Sequence, residues 1–450
     1  REFSGVFFLI PAGILGVVYL LLGVKKPENR TIYGKEGMIV VSSAWILWSL
    51  FGALPFSLSG CIPNYLDAFF ETVSGFTTTG STILREIEVL PQGMLFWRSF
   101  THWVGGMGVL VFVMVLTTLD KKNSMYLMRA EVPGPEKDKL VPKTMSTARI
   151  LYGIYFGMTL IEVVLLLFGG MNLFDSLLFS FGTAGTGGFA NYAASVGYFN
   201  SAYIDAVITI FMILFGINFN LYYFLLLKEL KPIWKNEELK VYLGIILTSA
   251  VVITMNISHM YEGPAKAFRY AVFQVASVIT TTGYATADFI EWPMFSQCVL
   301  LFLMMVGACA SSTGGGMKVS RILILSKTIG KEIRQILHPK SVNVVKMDGK
   351  RVPGESIHGV YVYLICYLVI LCGSVLLVAV DNQDFTTNFT AVLTTLNNVG
   401  PGLARVGPIE NFSHFSYFSK LILSMDMLVG RLEILPMLML FAPQVWRKKF

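Results

Sequence analysis

Charge is what this chain has least of. Asp, Glu, Lys and Arg together make up 14% of its 450 residues, while 54% are hydrophobic; a soluble domain carries charge on about a quarter of its positions. So few charges cannot clothe a water-exposed surface, which excludes a soluble globular fold and leaves an integral membrane protein. Cysteine is scarce too. Cys61, Cys298, Cys309, Cys366 and Cys372 are scattered, with no CxxC and no histidine at ligand spacing, so neither a disulfide framework nor a zinc site is expected. The five histidines (His102, His259, His338, His358, His414) are equally dispersed. With no HExxH, no nucleophile elbow and no paired intramembrane acids, enzyme chemistry has no recognisable residues. His102, in THWVGG, is the most tempting of them, and a lone histidine near the start of a span reads as a packed or interfacial side chain. No GxGxxG follows a strand, so nucleotide control would have to come from another subunit, and no nucleic-acid partner is expected.

Long apolar runs are what the chain has in excess. FSGVFFLIPAGILGVVYLLLG at 3–23 and MLFWRSFTHWVGGMGVLVFVMVL at 94–116 can each cross a hydrocarbon core of about 30 Å. The first lacks a cleavage site, and Gly23-Val24-Lys25-Lys26 reads as a stop after a span. The chain begins at Arg1 rather than Met, and a further segment ahead of it is an expectation.

Positive charge maps the loops. Segments 25–36, 120–149, 228–240, 318–351 and 447–449 hold 27 of the 35 Lys and Arg residues, which assigns them to the cytoplasm. The opposite side receives Arg1, Arg85, Arg98, Lys266, Arg269, Arg405 and Lys420, leaving Arg431 as the single base inside a span. That opposite side also carries acids, among them Asp67, Asp175, Glu262, Asp288, Glu291, Asp381, Asp384 and Glu410. An acidic mouth concentrates cations; a solvated loop surface accounts for the same residues one by one.

Four polar stretches repeat: DAFFETVSGFTTTGST (67–82), DSLLFSFGTAGTGGFA (175–190), YAVFQVASVITTTGYA (270–285) and FTAVLTTLNNVGPGL (389–403). Each is an amphipathic stretch of about three turns ending in a pair, Thr79-Gly80, Thr186-Gly187, Thr282-Gly283 or Val399-Gly400, with glycines 107, 96 and 117 residues apart. Repetition at that period reads as a duplicated unit of span, half-helix, polar turn and span. An eleven-residue helix reaches only ~16 Å, about the bilayer's middle, before turning back. Non-helical backbone is tolerated there only when enclosed by protein or lining a watery cavity. Glycine supplies unusual backbone angles, and Thr and Val pack stiffly behind it. Four such turns around one axis would aim carbonyl oxygens at a shared cavity, replacing the water shell of K⁺, while the helix C-termini add attraction for a cation. The expected ion-binding residues are Thr78, Thr79, Gly80, Thr186, Gly187, Thr281, Thr282, Gly283, Asn398, Val399 and Gly400. One copy alone would read as helix packing or Thr bonding to its own backbone.

These segments, with FWRSFTHWVGGMGVLVF (96–112), RAEVPGP (129–135), GACASSTGGGMKVSRIL (307–323), TLNNVGPGL (395–403) and MLVGRLEI (427–434), resemble the TrkH branch of the Trk/Ktr/HKT potassium-transporter superfamily over essentially the whole chain. The resemblance implies an all-α membrane protein with four span–pore-loop–span repeats in pseudo-fourfold arrangement around one central pore. It also implies a homodimer, a cytoplasmic ring of TrkA-type nucleotide-binding regulatory subunits and a bacterial inner membrane, with pore loops facing the periplasm. The expected segments are 1–35 (extra transmembrane helix and linker), 36–120, 121–230, 231–340 and 341–450. Family members carry further spans ahead of the first repeat; here only 3–23 is found. In plant relatives a serine in place of the first filter glycine goes with sodium transport, so Gly80 favours K⁺, with Rb⁺ also passing. GTGG in the second repeat departs from the pattern and implies looser selectivity.

Two features lie beneath the expected filter. Gly307, Ser311, Ser312, Thr313, Gly314, Gly315 and Gly316 fall within a span. Glycine costs about 1 kcal/mol relative to Ala in a helix, so a break is expected there, resuming near Met317; a kink or a tight helix crossing is the plainer alternative. Arg431 is an intramembrane charge, functional by default, or a structural ion pair with Asp426 or Glu433. If it faces a cation ~5 Å away at an effective dielectric of 20, repulsion is about 3 kcal/mol, roughly a hundredfold in rate. In the family the matching loop and arginine act as such barriers. The basic loops fit either a docked regulator or anionic lipid headgroups. A secondary transporter with broken helices is the competing class, though four same-handed copies fit a pore better than two inverted halves. No proton relay is identifiable, so symport and passive flow both stay open.

Overall fold

The computed structural model of the chain describes residues 5–23, 34–108 and 144–446. The basic segment 120–143, the RAEVPGP stretch, the second half of the 94–116 run, Lys25 and Lys26, and the 447–449 cluster lie outside the described residues. Helix dominates; the strands among the described residues are a two-residue antiparallel pair, Lys346–Met347 with Lys350–Arg351.

Four helices among the described residues are long and apolar enough to cross a bilayer: Glu36–Leu58, Arg149–Phe168, Glu237–Met260 and Gly354–Asp381. The shortest has 20 residues, about 30 Å at 1.5 Å per residue. Each precedes a short helix: Tyr65–Phe76, Leu173–Gly185, Pro264–Ile279 and Phe385–Leu396. Three begin on a side-chain cap, with Asn64 accepting from the amides of Leu66 and Asp67, Asn172 from Asp175 and Asp384 from Thr387. The third starts with Pro264 in its first turn, where the missing N–H is not needed. It runs 16 residues, longer than the eleven expected.

After each short helix the chain returns with no more than a short 3-10 turn and enters a second helix: Gln92–Gly106, Ala202–Phe215, Met294–Val306 and Tyr417–Arg431. None exceeds 15 residues, about 22 Å, and all four stop at or beside a glycine. The sequence reading expected this break only at Gly307. In the second copy the chain turns by 91° between Phe215 and Phe219. In the fourth, Glu433 and Ile434 take φ of 58° and 67° before Leu435–Phe441 begins.

Packing between copies runs in a ring. The second helix of the first copy lies against the short helix of the second, that of the second against the short helix of the third, that of the third against Phe385–Leu396, and that of the fourth against Tyr65–Phe76. Polarity is inverted relative to a soluble protein. Thr77, Thr79, Thr282 and Asn398 are fully buried, whereas Leu376 is 74% and Val369 67% exposed. An apolar perimeter of that extent is a lipid-facing surface. Arginine at Val369, sixteenth of the 25 residues in Gly354–Val378, would sit near mid-bilayer and cost roughly 3 kcal/mol on insertion. Val369→Arg should therefore reduce membrane-inserted protein while Val369→Leu does not, as read by quantitative blotting of carbonate-washed membranes.

Candidate functional site

The four turns that close the short helices share one backbone form. Thr78, Thr186, Thr281 and Asn398 have φ of 56°, 55°, 58° and 54°, and two residues later Gly80, Gly188, Gly283 and Gly400 have φ of 81°, 76°, 83° and 98°. A left-handed residue followed two positions on by a left-handed glycine is thus repeated four times. The second copy differs from the sequence reading: by backbone, Gly188 stands where Gly80 does, and Gly187 corresponds to Thr79. The two adjacent glycines of GTGG made the one-residue shift invisible to pairing by residue type. Gly187 has a reason of its own, since a Cβ there would overlap the ring of His102. His102 is packed, fully buried, with Nδ1 2.7 Å from Gly75 O and its ring 4.2 Å from that of Phe189.

Steric contact joins the turns in a closed cycle. A Cβ on Gly80 would overlap the carbonyl oxygen of Gly187, one on Gly188 that of Thr282, one on Gly283 that of Val399, and one on Gly400 would come within 2.7 Å of Thr79 O. Each glycine therefore meets the carbonyl that precedes the glycine of the next copy. Gly80, Gly188, Gly283 and Gly400 also line a single cavity, together with Ser81, Pro401 and Glu410. The threonine hydroxyls stabilise the turns from behind: Thr77 Oγ1 lies 2.8 Å from Thr79 Oγ1, and Thr280 Oγ1 2.8 Å from Thr282 Oγ1. Asn398 Nδ2 donates to Thr79 Oγ1 at 2.9 Å and to Met427 O at 2.9 Å, tying the fourth copy to the first.

A buried ion pair supports the first two turns. Glu71 accepts from Arg98 Nε at 2.7 Å, from Thr82 Oγ1 and from the Ile83 amide at 3.0 Å, and Arg98 Nη1 donates to Ala190 O at 2.9 Å. The guanidinium lies 3.6 Å from the Phe189 ring centroid. Both side chains are almost wholly buried. Arg98 is therefore no loop residue, and Arg431 is not the single base inside the fold: Arg321 and Lys420 are buried on helices, and Lys318 is buried at the end of a loop. Arg321 and Lys420 pair with acids distant in sequence, Glu433 and Asp67, which is why periodicity did not find them. Several acids assigned to a solvated mouth are likewise structural. Asp67 pairs with Lys420 at 2.7 Å, and Asp175 accepts from Asn191 and Tyr192. Asp384 caps its helix, and bonds from the Thr387 hydroxyl and amide hold its carboxyl below the usual range.

Beneath the turns, the third copy's second helix breaks after Val306 and resumes at Val319, two residues later than expected. Gly307, Ser311, Gly316 and Lys318 have positive φ. The Gly315 amide donates to Thr281 Oγ1 at 2.6 Å and the Gly316 amide to Asn397 O at 3.0 Å, so the loop touches the third and fourth turns directly. A Cβ on Gly314 would lie 2.9 Å from Thr280 O. Ser311 O accepts from the Phe219 amide and Thr313 Oγ1 donates to Phe215 O, on either side of the 91° bend, while Ser312 Oγ bonds Cys309 O. Arg431 completes the enclosure. Its Nη1 donates to Thr313 O at 2.7 Å, and its Nη2 to Gly105 O and Gly106 O at 2.6 and 2.7 Å. It thereby joins the loop to the C-terminus of Gln92–Gly106, where a cation is favoured. The two acids weighed as partners are engaged elsewhere, Asp426 with Ser374 and Glu433 with Arg321.

A family model described as TrkH, cation transport protein, matches residues 16–448. The Trk system potassium uptake protein TrkH of Salmonella typhimurium is 37% identical over 454 residues, covering 100% of this chain and 92% of that one. The protein of the same name from Escherichia coli K12 is 36% identical with the same coverage. The crystal structure of the potassium transporter TrkH from Vibrio parahaemolyticus superimposes with a TM-score of 0.89 at 32% identity, covering 99% of this chain and 93% of that chain.

The Glu71–Arg98 pair yields a stability prediction. Glu71→Gln strands a buried guanidinium and should cost roughly 3–5 kcal/mol, much of which Glu71→Gln combined with Arg98→Met should restore. Denaturant unfolding of the detergent-solubilised protein measures both; additive losses would show that the two side chains act independently.

Proposed function

The chain belongs to the TrkH family of cation transport proteins, and from that premise we propose that it takes up K⁺ through a pore formed where its four turns meet. The observation that carries this reading is the cyclic contact of Gly80, Gly188, Gly283 and Gly400 with the carbonyls of Gly187, Thr282, Val399 and Thr79. Four equivalent backbone segments closing on one axis place like carbonyls around it, an arrangement able to replace the hydration shell of a monovalent cation. The half-helices ending there add the partial negative charge of their C-termini. In this reading residues 36–120, 121–230, 231–340 and 341–450 are the four repeats, and Thr78, Thr79, Gly80, Thr186, Gly187, Gly188, Thr281, Thr282, Gly283, Asn398, Val399 and Gly400 form the filter.

The loop from Gly307 to Lys318 and Arg431 form the closed gate under it. Hydrogen bonds from Gly315 and Gly316 seat the loop against the filter's underside, and Arg431 adds a positive charge that an outward or inward K⁺ must pass. The assembly proposed is a homodimer in the bacterial inner membrane, pore loops facing outward, with TrkA-type nucleotide-binding subunits and anionic lipid against its basic cytoplasmic loops.

Tracer Rb⁺ uptake into proteoliposomes tests the reading. External K⁺ should compete and Na⁺ should not; Gly80→Ser, whose Cβ has no room against Gly187 O, should erode that discrimination. Arg431→Ala should raise flux, by up to roughly a hundredfold if the full repulsion is removed. Uptake that is unchanged or lower in folded Arg431→Ala protein would rule out the barrier role, and Na⁺ competing as well as K⁺ in wild type would rule out the filter.

A further inference from the structure

The gate loop is pinched at both stems by one carboxylate from the first span of its own copy. Glu238 lies in the first turn of Glu237–Ile257 and is 3% exposed. Its Oε1 accepts from the Ala310 amide at 2.7 Å and from the Ser320 amide at 3.0 Å. These two amides stand on either side of the Ser311–Val319 excursion. The stems also bond each other, Val319 N to Ala308 O at 3.0 Å and Met317 N to Met305 O at 3.1 Å. Neutral bonds of that kind slide or exchange as the loop moves. A single charged acceptor shared by two donors cannot keep both unless the stems stay together, and hydrogen bonds to an ionised acceptor are the stronger class.

Glu238 is itself held firmly. Asn236 caps its helix through the Leu239 amide at 2.7 Å, and Asp348 accepts from the Glu237 amide at 2.7 Å. Glu237 pairs with Lys327, about two turns into the helix that resumes after the loop. The acceptor and the Ser320 donor are thus fixed to a rigid span and to the far half of the broken helix, while the Ala310 donor belongs to the segment that must move.

We infer that Glu238 is a positioning residue for gating: its carboxylate clasps the two stems of the 307–318 loop and holds it in the obstructing position beneath the turns. This rests on the pore reading above and adds to it a residue outside both the filter and the gate loop, on the span that opens the third copy. Opening then requires at least one of the two amides to leave Glu238. Loss of hydrogen bonds to a charged acceptor shifts such an equilibrium by a factor of about ten or more.

The test is Rb⁺ uptake by proteoliposomes holding the full chain as wild type, Glu238→Ala, Glu238→Gln and Arg431→Ala, with K⁺ and Na⁺ as competitors. Glu238→Ala should raise uptake about tenfold or more, and Glu238→Gln, whose carbonyl oxygen still reaches both amides without the charge, should fall between it and wild type. Preference for K⁺ over Na⁺ should not change in either, because neither substitution touches the four turns. Uptake by Glu238→Ala at or below the wild-type level while Arg431→Ala conducts would overturn the clasp and leave the pore standing. A rise accompanied by lost K⁺ preference would also overturn it, indicating general loosening. Should Glu238→Ala fail to fold, Glu238→Gln decides alone: no increase in protein with a wild-type unfolding midpoint refutes the clasp. No uptake in any variant, Arg431→Ala included, refutes the pore reading and the clasp with it.

Discussion

At the four turns of this protein there is no room for a Cβ. Where Gly80, Gly188, Gly283 and Gly400 meet the carbonyl oxygens of the neighbouring copy, any side chain would overlap or crowd backbone, and the positive φ of each glycine would strain an L-residue even with space available. That steric constraint organises the rest. The short helices must end near the middle of the molecule so that their turns can meet. Their non-helical backbone must then be enclosed, because at membrane depth no water satisfies it outside a cavity. The second helices supply the enclosure, each laid against the short helix of the next copy, and their own glycines let the backbones approach. A Cβ at Gly106 would lie 2.6 Å from Gly185 Cα of the next copy, and one at Gly105 or Gly430 would overlap the carbonyl of Phe76 or Leu396 of its own copy.

The same small residues that permit this packing also weaken the second helices, and all four stop after 13 to 15 residues. The breaks are used differently. In the second copy the 91° bend offers Phe215 O, Gly216 O and the Phe219 amide to the loop of the third. In the fourth the break follows Arg431, whose guanidinium reaches carbonyls of the first and third copies. The loop of the third copy therefore touches segments of the second, third and fourth and is joined to the first through Arg431, with charged groups at several points: Arg431 on Thr313 O, Glu238 at its stems, Lys318 bonding Gly314 O from within. Geometry of this kind has two discrete arrangements available, bonds made or bonds exchanged, rather than a continuum.

Much of this was legible from residue order alone. TTTG twice, with GTGG and NNVG between long apolar runs, marks four turns because glycine and threonine have so few reasons to cluster at that depth. Gly307 to Gly316 announces a helix break for the same reason. What escaped was non-local. The one-residue shift to Gly188 depends on backbone angles that two consecutive glycines disguise. The ends of the other second helices rest on the Gly105-Gly106 pair and on the lone glycines Gly216 and Gly430, which an isolated reading assigns to tight packing. Arg98 looked like a loop base because its counter-charge, Glu71, is 27 residues away and its other contacts, Phe189 and Ala190, are about ninety. Glu238 carried no signal at all, being an ordinary acid in a first helical turn until the loop from 70 residues later folds onto it.

The central claim is that the four turns form one cation site. Thallium(I), a K⁺ mimic with a strong anomalous signal, locates such a site directly when soaked into crystals of the wild-type protein. The account predicts an anomalous peak on the axis shared by the turns, coordinated by the carbonyl oxygens of Thr79, Gly187, Thr282 and Val399 and displaced by excess K⁺ but not Na⁺. A difference map empty at that axis, with thallium bound elsewhere in the protein, would contradict it.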